Sequence, residues 1–238
     1  MPNHITTICS VTGPAADVAA FRDLMFVTSN PHGEDILSFE FTNIIPMPAS
    51  VAAVTERGGI EEILVVLLRP TGVTQAWETL QKWKPEIGPW KGLFGFEKGE
   101  IERRIEDAFP GMIKLAREKC LAFGETGYWG WYDWSIANWG TKWGAYGLDM
   151  RSEDPLVFKF ETAWDFPAPV FEALAARFPG LKFHCKTFDE GWNFAGIGFF
   201  NPGEGEPAWA KVEATDELYE AVYGELPERD EEDEEGSE

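Results

Sequence analysis

The residues with the most chemical potential lie in one short run. Tyr128 to Trp143 reads YWGWYDWSIANWGTKW and holds five of the eleven tryptophans, interleaved with Asp133, Asn138 and Lys142. Trp131 and Trp134 are separated by three positions and Trp134 and Asn138 by four, so a short helix over about 130–139 stacks them along one side, and Gly140 is placed to end it. An indole offers a broad apolar face and a single N–H donor. Such a cluster serves a planar or sugar ligand, or a protein partner, when it is exposed. When it is buried it is a core, with Asn138, Thr141 and the backbone meeting the indole donors. Aromatic stripes at helical spacing are mostly packing. The expectation is therefore that Trp134 and Trp139, with Trp164 downstream, are largely buried, and that at most one or two of the eleven indoles are available to a ligand. The candidate ligand or partner residues are Trp131, Asp133, Trp134, Asn138, Trp139, Lys142 and Trp143.

Other chemistry is sparse. Asp133, Asp149, Asp165 and Glu190 become a glycosidase-like pair only if the fold brings two of them within about 5 to 10 Å; as solvated charges, turns and caps they need no such role. Cys9, Cys120 and Cys185 are too widely spaced to hold an iron–sulfur cluster. Neighbours such as His184 and Cys185 point to opposite faces of a strand, which disfavours a zinc site. No metal site and no cofactor is expected. The chain has no GxxxxGK[ST] phosphate loop, no GxSxG elbow and no HExxH, and Gly196-Ile197-Gly198 lacks the third glycine of a dinucleotide fingerprint. No catalytic residue is assigned.

The elements that must position these residues follow from periodicity. Ile5, Thr7, Cys9 and Val11 alternate with more polar neighbours, giving a strand over 4–11 ended by Gly13-Pro14. Val18, Phe21 and Met25 recur at helical spacing, and Leu37, Phe39 and Phe41 return to period two, so the start reads β-α-β. From about 50 to 125 the pattern is helical and interrupted, with a short apolar run at 60–68, candidate helices at 73–83 and 101–109, Pro110-Gly111 separating the latter from 112–123, and a loop over 84–99. Strand character returns at 156–163. A helix over 168–178 follows, closed by Pro179-Gly180, then strands at 181–188 and 192–200, a further strand at 209–213 and a short helix at 216–223. The order β-α-β, helical insert, β-α-β-β matches an α+β, ferredoxin-like antiparallel sheet with its helices on one side. Residues 1–45 and 142–224 form that domain, 46–141 a helical, Trp-rich insertion, and 225–238 an acidic tail expected to be disordered.

Several ordered motifs resemble a known family. Glu125-Thr126-Gly127, Trp131-Tyr132-Asp133-Trp134, Asn138 to Trp143, Phe160 to Trp164 and Asp189-Glu190-Gly191, with the Pro2-Asn3-His4 opening, are similar to the YubB-like proteins of phages and plasmids. The resemblance runs to about residue 200 and implies a ferredoxin-like fold and a mobile-element origin. It carries no activity and no catalytic residue across.

Charge narrows the partners. The chain has 20 basic and 41 acidic side chains, a net charge of −21. The segment 225–238 holds nine acidic residues and Arg229, and without it the charge is still −13. Such a surface repels polyanions and anionic membranes. Lys182, His184 and Lys186 share one face of a strand, but the aromatic pairs through which an open ferredoxin-like sheet binds RNA are expected to be missing there, so direct nucleic-acid binding is not expected. No apolar run reaches the roughly 20 residues of a membrane span. The polar start and the three cysteines fit a cytoplasmic chain. Together these features point to a non-enzymatic accessory protein that binds a protein partner, with acidic mimicry of a polyanion as one mode. The alternative is a small-molecule-binding protein or enzyme centred on the Trp-rich cluster.

Overall fold

The computed structural model describes residues 3–30, 33–54, 102–103, 105–107, 110–201 and 208–227. The candidate elements at 60–68 and 73–83, the loop at 84–99 and the tail beyond 227 lie outside them. By internal contacts the chain divides into two units, Met1–Pro46 with Ser135–Glu238, and Met47–Trp134.

The first unit is built on β1 (His4–Thr12), whose β-branched residues favour an extended backbone. It sits inside a six-stranded sheet with β4 (Tyr146–Glu153), β5 (Leu156–Ala163), β6 (Lys182–Asp189), β7 (Ala195–Phe200) and β8 (Trp209–Val212), in the order β4-β5-β1-β6-β7-β8. Every neighbouring pair is antiparallel. Helices α1 (Ala15–Met25) and α5 (Ala168–Arg177) supply the crossovers. The succession β1-α1-β4-β5-α5-β6 is the ferredoxin-like β-α-β-β-α-β unit, extended by β7 and β8.

One element of the expected topology is corrected. The period-two segment at 37–42 does not enter this sheet. Ile36–Phe39 (β3) pairs with Phe26–Ser29 (β2) as a separate hairpin, and Phe41 opens a 3-10 turn. Phe39 and Phe41 are nonetheless buried, while Leu37 is exposed. The strand that completes the first β-α-β is β4. Its edge position leaves every residue at least partly exposed, so it carries little of the apolar alternation that marks an inner strand.

Both crossover helices pack on the face formed by Ile5, Thr7, Cys9 and Val11 of β1, which lie opposite Thr162, Phe160, Phe158 and Leu156 of β5. Phe21 meets Phe158 and Phe183 at ring separations of 6.1 and 5.5 Å, and Phe171 of α5 stacks on Phe160 at 6.1 Å. Phe39 closes the assembly against Phe158 and Phe160, each at 5.2 Å. The buried hydroxyls of Thr7 and Thr187 satisfy each other at 2.7 Å. Cys9 and Cys185 face one another in the same core, with sulfurs 3.3 Å apart, and burial pushes the Cys185 thiol well up.

The opposite face is partly covered by α6 (Asp216–Tyr223), which packs Leu218, Tyr219, Val222 and Tyr223 with Ile8, Phe188, Ala195 and Val212. Thr215 caps it by accepting from Leu218 N, and Gly224 ends it at φ +85°.

In the second unit, α2 (Ala49–Ala52) contacts α3 (Met112–Thr126), whose buried stripe includes Ile113, Leu115, Ala116 and Ala122. Residues 102–103 and 105–107 are helical. Gly127, at φ +80°, ends α3, and Phe123 then stacks on Trp129 at 4.2 Å. Helix α4 (Trp131–Trp139) follows.

Candidate functional site

Three strand ends converge at one edge of the first unit: the start of β1 and the ends of β5 and β6. Asp189, only 1% exposed, anchors them. Its carboxylate accepts from Asn3 Nδ2 at 3.2 and 3.4 Å, from Asn193 N at 3.0 Å and from Asn193 Nδ2. With several donors on one buried carboxylate, the turn 189–193 is fixed rather than free to relax. Trp192 projects from that turn at φ +57° and lies against Tyr219 of α6, rings 5.5 Å apart and 13° from parallel.

Beside it, His4 N donates to Glu190 Oε1 at 2.7 Å and Glu190 N donates to the His4 carbonyl. The His4 ring meets the Tyr146 hydroxyl through Nδ1 at 2.7 Å, and Glu161 lies 3.6 Å from the same nitrogen. Burial, then the negative charges of Glu161 and Glu190, push the Tyr146 phenol up to about 12. At neutral pH it is a proton-bearing group and not a base.

On the other side of Asn3, Trp164 N donates to the Asn3 carbonyl at 3.1 Å and holds Trp164 at φ +78°. Lys142 Nζ lies 4.3 Å from the Trp143 ring and 4.9 Å from the Trp164 ring, a cation–π arrangement with two indoles. The loop carrying Lys142 is fixed by Gly140 at φ +80°, by Ser135 Oγ donating to the Lys142 carbonyl at 2.6 Å and by Lys142 N donating to Ala163 O.

The expected site residues are thereby sorted. Lys142 and Trp143 come together with Trp164. Trp139 is buried, its Nε1–H donating to Ile45 O at 3.0 Å and its ring edge-on to Phe41. Trp134 is buried, Trp131 is half-buried and edge-on to Tyr132, Asp133 is exposed and Asn138 is half-buried. The expectation that Trp164 is buried is corrected: it is 40% exposed, alongside Trp129 at 37% and Trp192 at 41%. The cause is local. Strand β5 ends at the buried Ala163, and the positive φ of the next residue swings its side chain outward.

The remaining carboxylates have individual partners. Asp165 accepts from Lys211 Nζ at 2.7 Å, and Asp149 pairs with Arg151 at 2.8 Å. Among the described residues no group of three or more His, Cys, Asp or Glu side chains is placed to hold a metal ion. The Gly196 and Gly198 pair has a packing reason: a Cβ on either would press on the Trp209 ring, which itself stacks on Phe166 at 4.0 Å. Trp192 and Tyr219 were missed in the sequence because nothing there reveals that the 216–223 helix crosses beside the 189–193 turn.

Fold and site thus define an α+β, ferredoxin-like domain whose edge presents clamped tryptophans. Residues 139–234 match a family model described as the ferredoxin-like domain in Api92-like protein. Among solved structures, protein api92 from Yersinia pseudotuberculosis aligns over 90% of this chain and 99% of its own at 12% identity, with a TM-score of 0.42. No curated protein matches the chain. No helix among the described residues is long and apolar enough to cross a membrane.

Proposed function

We propose that this protein is a non-enzymatic, cytoplasmic protein-binding module, an accessory factor of a phage or plasmid as its resemblance to YubB-like proteins implies. The observation that carries this reading is the pair of half-exposed indoles, Trp164 and Trp192, each held at positive φ on either side of Asn3. Non-glycine residues in that conformation cost of order 1 to 3 kcal/mol unless the surroundings impose it. Here Asn3 and Asp189 impose it, and the result is a pre-ordered aromatic surface. Tryptophan is among the residues that dominate binding energy at protein interfaces, and fixing it beforehand lowers the entropy lost on association. The net charge of −21 favours a basic partner, so the module competes with polyanions for a nucleic-acid-binding surface of a host or defence factor.

The test is capture from host lysate by the full chain and by a Trp164→Ser, Trp192→Ser variant whose melting temperature matches the parent. A discrete protein should be retained by the parent and reduced about 30-fold or more by the variant, the loss expected of an interface hot spot. Equal capture by both would remove the aromatic edge from the interface.

A further inference from the structure

We infer that Cys9 and Cys185 are a latent redox staple: oxidised by a small disulfide while the sheet is open, they join β1 to β6, and the closed sheet then keeps the bond. This is independent of the aromatic edge described above. The two residues are direct partners in the antiparallel register of β1 and β6. Their kind of pairing follows from the strand ends. Glu190 N donates to the His4 carbonyl, and Trp164 N donates to the Asn3 carbonyl. Even-numbered residues of β1 therefore bond to β6 and odd-numbered ones to β5, because hydrogen-bonded and non-hydrogen-bonded pairs alternate along an antiparallel ladder. Against β6, Thr7–Thr187 and Cys9–Cys185 are thus non-hydrogen-bonded pairs. Such pairs hold their Cα atoms about 4.5 Å apart and bring their side chains closest, within the roughly 4.4 to 6.8 Å that a disulfide spans. The side chains agree: the Thr7 and Thr187 hydroxyls are 2.7 Å apart, and the Cys185 thiol donates to the Cys9 sulfur at 3.3 Å. Closing the bond asks for side-chain rotation and little backbone movement.

Burial makes the staple latent. Both residues are 0% exposed, on the sheet face that α1 and α5 cover. Burial first, then the hydrogen bond and charge of Cys9, push the Cys185 thiol well above the usual thiol range, and only a thiolate attacks a disulfide. The folded pair is therefore inert to an oxidant, and reaction waits for β1 and β6 to part. In the opened chain one cysteine thiolate attacks oxidised glutathione and expels a glutathione thiolate. The second cysteine thiolate attacks the mixed disulfide and expels the other. Two electrons pass from the cysteine pair to the oxidant, and the two cysteine protons end on two glutathione thiols. After closure the same burial shields the bond from reductants. A reducing compartment leaves the dithiol; an oxidant met while the sheet is open sets the staple.

The chain path gives the bond its effect. Cys9 and Cys185 are 176 positions apart, and the stretch between them holds α1, β4, β5, α5 and all of Met47–Trp134. Tying the ends of so long a loop restricts the unfolded chain strongly. Cys120, on α3, lies within that stretch as a third free thiol. The pairing was hidden in the sequence because only the strand register brings position 9 to position 185.

The experiment uses the full chain, opened in urea with a mixture of oxidised and reduced glutathione and then returned to buffer. Intact mass after denaturation and alkylation counts the remaining thiols, and peptide mapping locates the bond. Of the three cysteines, Cys9 and Cys185 should be linked to each other and Cys120 left outside the link. The linked chain should melt about 5 °C or more above the dithiol chain, and reduction in urea should reverse the shift. Without urea, oxidation of the pair should be at least about tenfold slower, since it waits on opening. Cys9→Ala should form no such link; if that variant fails to fold, the parent chain, oxidised against reduced, carries the test unaided. Three free thiols after the oxidising cycle, a link that uses Cys120, a linked chain that melts no higher than the dithiol, or equal oxidation with and without urea would each overturn the inference.

Discussion

Tyr146 is a residue whose surroundings change its ordinary behaviour. Its phenol is held protonated by burial and by Glu161 and Glu190, up to about 12 against an ordinary value of 10. The folded state therefore favours the neutral form, so the stabilisation is complete below pH 10 and is lost as pH rises through the folded value. Spectrophotometric titration of the native protein should show a tyrosine that resists ionisation until about pH 12. The fall in melting temperature between pH 10 and 12 should shrink in Tyr146→Phe. Phe160 tests the core at the same scale. It is 0% exposed and meets Phe39, Phe158 and Phe171, so Phe160→Ala should lower unfolding free energy by roughly 3 to 5 kcal/mol in urea denaturation.

Among the elements, β7 and β8 depend on missing side chains. Trp209 lies over Gly196 and Gly198 and reaches Phe166, so a methyl at Gly196 meets its ring. Gly196→Ala should destabilise the protein by about 1 to 3 kcal/mol, the usual cost of overpacking, and near-ultraviolet circular dichroism should report a displaced indole. Helix α6 depends instead on its start. Thr215→Ala removes the acceptor for Leu218 N, one of the helix's orphan donors, and should cost about 0.5 to 2 kcal/mol by denaturant titration. Because α6 lies over Phe188 and beside Trp192, the same change should raise quenching of Trp192 emission by acrylamide.

For the whole molecule, charge of one sign dominates. Electrostatic attraction to a basic partner acts mainly on association rate and is screened by salt. Stopped-flow association with such a partner should therefore slow as ionic strength rises. Removing 225–238, which takes the net charge from −21 to −13, should weaken that dependence without abolishing it. A rate indifferent to salt would count against acidic mimicry.

Strands β1, β5, β6 and β7 and helices α1, α4, α5 and α6 were legible because each repeats its apolar residues at its own period, and local sterics and burial act on the same residues. The α+β class follows from their order. The Trp-rich motif was legible as a helix, and Gly140 as its end, for the same reason. Tertiary structure alone decided that β4, with its solvent-facing edge, fills the place the 37–42 segment promised. It also decided that Trp164 turns outward once Asn3 holds its backbone, and that Trp192 meets Tyr219. These outcomes depend on register and on contacts between residues far apart in the chain, such as Asn3 with Asp189. Local periodicity fixes which side of a strand a residue takes, but which strand lies beside it is settled by long-range pairing.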